Sequence, residues 1–257
     1  MKPYADHFSR LAPGYASCRP GYPDALFSYL AGLVHRHELA WDCAAGSGQA
    51  TLPLASRFQR VVATDASAAM LGQAPRHPKI EYRVATAEKS GLSPATVDLV
   101  VVAQALHWLD LDRFYPEATR VLIPGGILAV WTYGMQKLED PAIDRLLQRF
   151  YTDVVGPYWP GERRHVESGY RTLPFPFPEL EPERFAMEEK WNLSQLLGYL
   201  RTWSATQRFR ESHGRDPVEQ LGLEIEPLWG PPMSGRMIRW PLSLRVGRRP
   251  VLTLGAP

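Results

Sequence analysis

WDCAAGSGQATLPLA, Trp41 to Ala55, begins with an acidic residue in an apolar run, passes through residues with almost no side chain, and ends in a helix-like pattern. Strand, small-residue turn and helix in that order start the crossover unit of a parallel sheet, whose ligands bind outside the carboxyl ends of the strands. Small residues let the backbone approach a ligand closely, and Gly46 and Gly48 permit dihedrals that a β-carbon disfavours. A dinucleotide fingerprint needs a third glycine against the helix, and a helix N-terminus to receive the pyrophosphate. Here Gln49, Ala50 and Thr51 follow Gly48 instead. Pro53 is tolerated only if the helix starts near residues 49–51, because only the first four amides of a helix lack an internal partner. A short, late helix with the Asp42 carboxylate just before the loop suits a ligand bearing an ammonium group better than a pyrophosphate.

Outward from this stretch, near-continuous apolar runs predict strands at 39–43, 60–64, 80–84, 97–103 and 126–132, covered on both faces. Helices are expected at 67–74, capped by Asp65 or Ser67, and at 111–122, capped by Asp110, with Pro116 forcing a kink or a late start. The IPGGI segment, 123–127, fits a type II turn with Pro124 and Gly125 at its centre. After Tyr133 the texture changes. An amphipathic helix is expected at 140–154, then a proline- and aromatic-rich loop at 156–183, long enough to suggest a lid. A strand at 184–193, helices at 194–210 and 217–228, and a last strand at 236–246 complete the pattern.

The chain has 257 residues, 45% hydrophobic and 22% charged, with a net charge of +2. That length buries one sizeable core, and the scattered charge lacks the basic footprint of a nucleic-acid binder. The clusters ERR (162–164) and GRR (247–249) read as solvated surface. Cys18 and Cys43 form no disulfide framework, and Cys43 reads as a small buried hydrophobe. No apolar run reaches the roughly 18 residues of a membrane span and the N-terminus lacks a signal-peptide core, so a cytoplasmic protein without a membrane partner is expected. His35 and His37 lie two apart with no Cys or acidic cluster beside them, so no metal is expected.

The segment from Asp42 to Gly48, with Asp65, Ala87, Glu88, VDLVVVAQALHWLD (97–110) and RVLIPGGILAVW (120–131), resembles the class I S-adenosylmethionine (SAM) dependent methyltransferases. Their acidic-x-Gly-x-Gly-x-Gly loop is matched with Ala44 in place of the first glycine, a change that costs little if Ala44 keeps a negative φ. The resemblance implies a Rossmann-like α/β fold: a doubly wound, seven-stranded, mostly parallel sheet with an antiparallel last strand and a helical lid insertion. It divides a single 1–257 domain into an N-terminal helical segment over the cofactor (1–38), a SAM-binding core (39–133), a substrate-side lid with insertions (134–235), and a final strand and tail (236–257). The implied cofactor is SAM, released as S-adenosylhomocysteine.

The resemblance assigns the ribose hydroxyls to Asp65 and the methionine ammonium to Asp42, directly or through water. Ala44, Gly46, Gly48, Ala66, Met70, Ala87, Glu88 and Gln104 complete the cofactor set, and Arg19 is a candidate for a carboxylate of SAM or of the acceptor. A narrower likeness, carried by YASCRPGYP (15–23), AQALHWLD (103–110), YLRTWSAT (199–206) and WPLSLRVGR (240–248), is to small-molecule methyltransferases of type 11 related to trans-aconitate methyltransferase. It implies a small-molecule acceptor, a carboxylate among the candidates. His107, with an ordinary pKa of about 6.5, is the expected proton acceptor if a hydroxyl or amine is methylated, whereas a carboxylate, already ionised, would need no base. Tyr15, Trp108, Trp131, Tyr133, Arg201 and Trp203 are the expected acceptor-side residues.

Two other readings use the same sheet: an NAD-dependent oxidoreductase, opposed by the missing third glycine, and a non-catalytic SAM-binding protein. Methylation of exocyclic base amines is disfavoured, because Gln104, Ala105, Leu106 and His107 stand where such enzymes carry an Asn or Asp, two prolines and an aromatic. Monomer and homodimer remain equally open at the level of sequence.

Overall fold

The computed structural model describes residues 20–251. Tyr15, Cys18 and Arg19 lie outside these described residues. Helix α1 (Asp24–Gly32) leads into β1 (Leu39–Cys43), α2 (Thr51–Ala55), β2 (Arg60–Asp65), α3 (Ala68–Leu71), β3 (Ile80–Val84) and β4 (Val97–Ala103). There follow α4 (Leu111–Val121), β5 (Leu122–Tyr133), β6 (Lys137–Leu138), α5 (Pro141–Arg149), α6 (Arg163–Glu167), β7 (Glu179–Leu180) and β8 (Ala186–Trp191). Helices α7 (Leu193–Arg201), α8 (Ser204–His213) and α9 (Pro217–Trp229) precede the last strand, β9 (Arg236–Arg248).

The strands form one sheet with β3, β2, β1, β4, β5 and β9 side by side; the first five are parallel and β9 is antiparallel to β5. Tyr133 of β5 stands opposite Leu242, and Lys137 of β6 opposite Arg239, so β6 extends β5 along the same edge of β9. Leu180 of β7 faces Val246 and Ala186 of β8 faces Pro241, so these two share the other edge. The nine strands therefore occupy seven ranks, the expected doubly wound Rossmann-like sheet with one antiparallel strand.

Alternation along the central strands divides the core. Leu99, Val101, Ile127, Ala129 and Trp131 pack with Leu26, Phe27 and Leu30 of α1 and Leu54 of α2. Val100, Val102, Leu128 and Val130 pack with Phe114, Ala118 and Val121 of α4 and with Tyr170. A third cluster, built on Ile143, Leu147, Leu196, Leu200, Phe209, Leu221 and Ile225, joins α5, α7, α8 and α9 into a helical cap. Asp98 fastens the entry to β1: its buried carboxylate accepts the backbone N–H groups of Glu38 and Leu39, both at 2.9 Å, and Arg36 Nε at 3.0 Å.

Several expectations need correction. Pro116 does not delay α4, which starts at Leu111, and it sits on the exposed side of the helix. Asp110 makes no side-chain cap for this helix, whereas Ser67 caps α3 by accepting Met70 N–H. The helix expected at 194–210 is two helices, because Trp203 takes an extended conformation (φ −66°, ψ 135°). The 156–183 loop contains α6 and β7. The GRR cluster is not simply solvated: Arg248 bonds the carbonyls of Gly125 and Leu33, and Arg249 that of Leu122. Among the described residues no helix is long and apolar enough to cross a membrane.

Candidate active site

A cavity of about 660 Å³ opens at the carboxyl ends of β1, β2 and β4 and runs beneath the helical cap. This volume lies within the ordinary range for small-molecule sites. One end is formed by Ala44 to Ser47, Asp65, Ala66 and Met70, with Ala87 and Glu88 beside them. The other is formed by Trp159, Glu162, Arg163, Tyr199, Thr202 and Trp203. Gln104, His107, Trp108 and Tyr133 line the middle.

The loop after β1 is shaped by left-handed backbone at alternate positions: Ala44 (φ 57°), Gly46 (φ 57°) and Gly48 (φ 82°). Ala44 thus does not have the negative φ expected of it, and an L-residue there stores about 1–2 kcal/mol of strain. At Gly48 a β-carbon would stand 3.1 Å from Tyr82 Oη and 3.2 Å from Ala74 Cβ, so this glycine serves packing behind the loop, off the cavity wall. Helix α2 begins only at Thr51, as Pro53 required.

Asp65 ties the loop to the next crossover. Its Oδ2 accepts Gly46 N–H at 2.8 Å and its Oδ1 accepts Ser67 N–H at 2.8 Å. A carboxylate oxygen can accept two bonds, so each retains capacity toward the cavity. Asp42 lies deeper. It is wholly buried and off the cavity wall, accepts Thr51 Oγ1 at 2.5 Å, and leaves Oδ1 without a protein partner among the described residues. Burial raises its pKa to about 7, with Thr51 opposing and the Asp65 charge adding to the rise. Asp42 thus sits beneath the loop rather than on the cavity wall. Glu88 lines the cavity while accepting Asp110 N–H at 3.2 Å.

Gln104 holds a positive φ (54°) and is clamped to β5: Oε1 accepts Tyr133 N–H at 3.0 Å and the Thr132 hydroxyl, and Nε2 donates to Tyr133 O at 3.1 Å. His107 follows on a 3₁₀ turn, Leu106–Trp108, with Nδ1 2.8 Å from the Tyr170 hydroxyl. Burial, reinforced by the nearby charges of Arg163 and His165, pulls its pKa down to about 3. The ordinary pKa expected of His107 is therefore corrected downward, with burial the leading cause.

Two expected acceptor-side residues lie elsewhere. Trp131 points to the opposite face of the sheet, edge-on to Tyr22 and Phe27 at 5.4 and 6.2 Å between ring centroids. Arg201 pairs with Asp216 at 2.6 Å, joining α7 to the cap of α9. The residue in the position expected of Arg201 is Arg163, from the cluster read as surface. Its guanidinium lies 4.4 Å from the Trp159 ring centroid and 5.4 Å from that of Tyr151, and Nε donates to Tyr151 Oη at 2.8 Å. Among the described residues Arg163 forms no salt bridge. The one hint in the sequence was the pair of aromatics, Tyr158 and Trp159, just before the arginines.

Comparison with known proteins places this geometry. The family described as Methyltransferase domain matches residues 41–130. A Dictyostelium discoideum protein named as a methyltransferase is 30% identical over 221 residues, 85% of this chain and 84% of that protein. A Saccharomyces cerevisiae protein named as SAM-dependent is 28% identical over 171 residues, 61% of this chain and 58% of that protein. The solved structure of an Anaeromyxobacter dehalogenans chain described as a type II methyltransferase superposes with a TM-score of 0.86 at 47% identity, covering 90% of this chain and 98% of that one.

Proposed function

Since the chain belongs to the class I SAM-dependent methyltransferases, we propose that it methylates a carboxylate oxygen of a small molecule held between the helical cap and the ends of β4 and β5. The observation that carries this reading is Arg163: a cation without an acidic partner among the described residues, set against Trp159 on the wall of the cavity. A guanidinium's planar fork matches a carboxylate, and its fixed aromatic backing lowers the cost of ordering it.

The residues present fit the cofactor. Asp65 retains acceptor capacity for a ribose diol, the left-handed turn at Ala44 and Gly46 brings backbone close, and Met70, Ala66 and Ala87 offer apolar wall for a base. Asp42, with one oxygen orphaned beneath the loop, offers an unused polar atom on the ammonium side. When bound, SAM supplies an electrophilic methyl group on a sulfonium.

Methyl transfer from a sulfonium is an in-line displacement, so the protein's work is alignment and exclusion of water. Arg163 orients the acceptor, and Trp203, Tyr199 and Trp159 close the wall over it. A carboxylic acid is already ionised at neutral pH, its ordinary pKa being about 4, so no proton need be removed. This agrees with the weak basicity of His107. The 39–133 segment is the cofactor half, and 134–235 the acceptor half. The test is formation of S-adenosylhomocysteine across a panel of small carboxylic acids, phenols and amines. Turnover confined to phenols or amines would overturn the carboxylate assignment.

A further inference from the structure

A second cavity, of about 560 Å³, lies against the first. His107, Leu109, Asp110 and Glu162 line both, so one layer of side chains parts the two. Helix α6 belongs to that layer. Arg163 and Val166, three residues apart and so on one face of the helix, turn to the active-site cavity, while Arg164 and His165 turn to the second. An acceptor whose carboxylate meets Arg163 therefore has the second cavity just across the helix that holds it.

The floor of the second cavity is apolar. Leu109, Leu111 and Leu173 are half-buried: one side of each packs on the core around Phe114 and Tyr170, and each also lines the cavity, with Pro174 beside them. Leu109 carries this floor back into the active-site cavity. The rim is mixed, Asp110, Asp112 and Glu162 standing against Arg164 and His165. No single charge on a ligand is favoured there, so the leucines decide what fits. Both the volume and an apolar lining with a few polar groups are ordinary for a small-molecule site.

We propose that the second cavity is the tail site of the acceptor: the molecule methylated is an acid with an extended apolar tail, its carboxylate on Arg163 and its tail passing Leu109 to lie over Leu111, Leu173 and Pro174. The head-group half of this statement rests on the carboxylate reading above; the tail half does not. Arg163 fixes the reacting end, and the second cavity supplies binding remote from the reacting atoms.

The test is isothermal titration of the full chain, saturated with S-adenosylhomocysteine, with straight-chain acids from acetic to decanoic, and with alkylphenols and alkylamines of matching length. The expected result is a Kd for the acids that falls roughly fourfold for each methylene buried. Gly161 lines the second cavity and not the first; its φ lies outside the left-handed region, and a β-carbon there would meet nothing within 4 Å. Gly161→Trp therefore fills the second cavity without straining the chain. In that variant the shortest acids should bind as before and the gain with length should vanish. A gain that survives Gly161→Trp, or no gain in any of the three series, overturns the tail site. Should Gly161→Trp fail to fold, Asp112→Trp blocks the same cavity from α4. A length gain confined to the phenols or amines and lost in Gly161→Trp refutes the carboxylate head and keeps the tail site. So does length-dependent binding of the acids with no methyl transfer to any of them from SAM.

Discussion

Replacing Asp65 by Ala separates the cofactor assignment from mere bracing of the loop. The carboxylate spends one acceptor position of each oxygen on a backbone N–H, Gly46 and Ser67, both at 2.8 Å. If the remaining capacity accepts a ribose diol, removal costs what hydrogen bonds to a charged group contribute, about 1.5–3 kcal/mol. That is roughly a 10- to 150-fold rise in Kd for S-adenosylhomocysteine. The two freed amides would also lower stability, by about 1–3 kcal/mol if they stay dry. Isothermal titration on protein shown to be folded by circular dichroism reads the first quantity, and urea unfolding the second. A destabilised variant with unchanged Kd would show that Asp65 only ties the β1 loop to α3, and would refute the ribose role.

Three further outcomes follow from the site. Arg163→Met should lower kcat/KM for a carboxylate acceptor roughly 10- to 150-fold, as expected for loss of charged hydrogen bonds, while S-adenosylhomocysteine binding holds; equal kinetics in both proteins would remove Arg163 from the acceptor site. Asp42 is held at about 7 in the folded chain against an ordinary 3.8, so the native state keeps a proton that the unfolded chain releases. Its contribution is therefore present below pH 4 and lost as pH rises toward 7, by on the order of a few kcal/mol. Asp42→Asn should not show this loss, and identical Tm-versus-pH slopes for the two proteins between pH 4 and 7 would contradict the shift. Ala44→Gly relieves left-handed strain and adds unfolded-state entropy, a net gain of up to about 1 kcal/mol in urea unfolding; a clear loss would mean that the Ala44 methyl group packs usefully.

Strands β1, β2, β4 and β5 could be read from sequence because they are near-continuous apolar runs buried on both faces. The edge strand β3 carries Glu81 and Arg83 and is only partly buried, against the expected cover on both faces. The loop after β1 was equally plain, with Pro53 fixing where α2 begins. What could not be read depends on partners distant in the chain. Arg201 and Arg163 both stand beside aromatics in the sequence, and only the fold supplies Asp216 to one and leaves the other on the cavity wall. Alternation groups Trp131 with one face of β5, but which face the cavity adjoins is decided by how the cap packs. The short elements of 156–183 have no periodicity of their own; the turn between α6 and β7 is held through the carbonyls of Tyr170 and Leu173 by Arg245, some 70 residues onward. An ordinary pKa for His107 follows from sequence alone, because the burial that lowers it comes from residues distant in the chain.

Strand β9 makes this protein sensitive to the order in which its parts appear. It pairs with β5 from Ile127 to Tyr133 on one edge and with β7 and β8 on the other, yet it ends more than a hundred residues after β5. Until Arg236–Arg248 has left the ribosome, Ile127, Leu128, Ala129 and Val130 form an open apolar sheet edge, the kind of surface on which chains aggregate. A nascent or truncated chain lacking β9 would hold the complete β1–β4 ligand crevice and still be a poor object to purify.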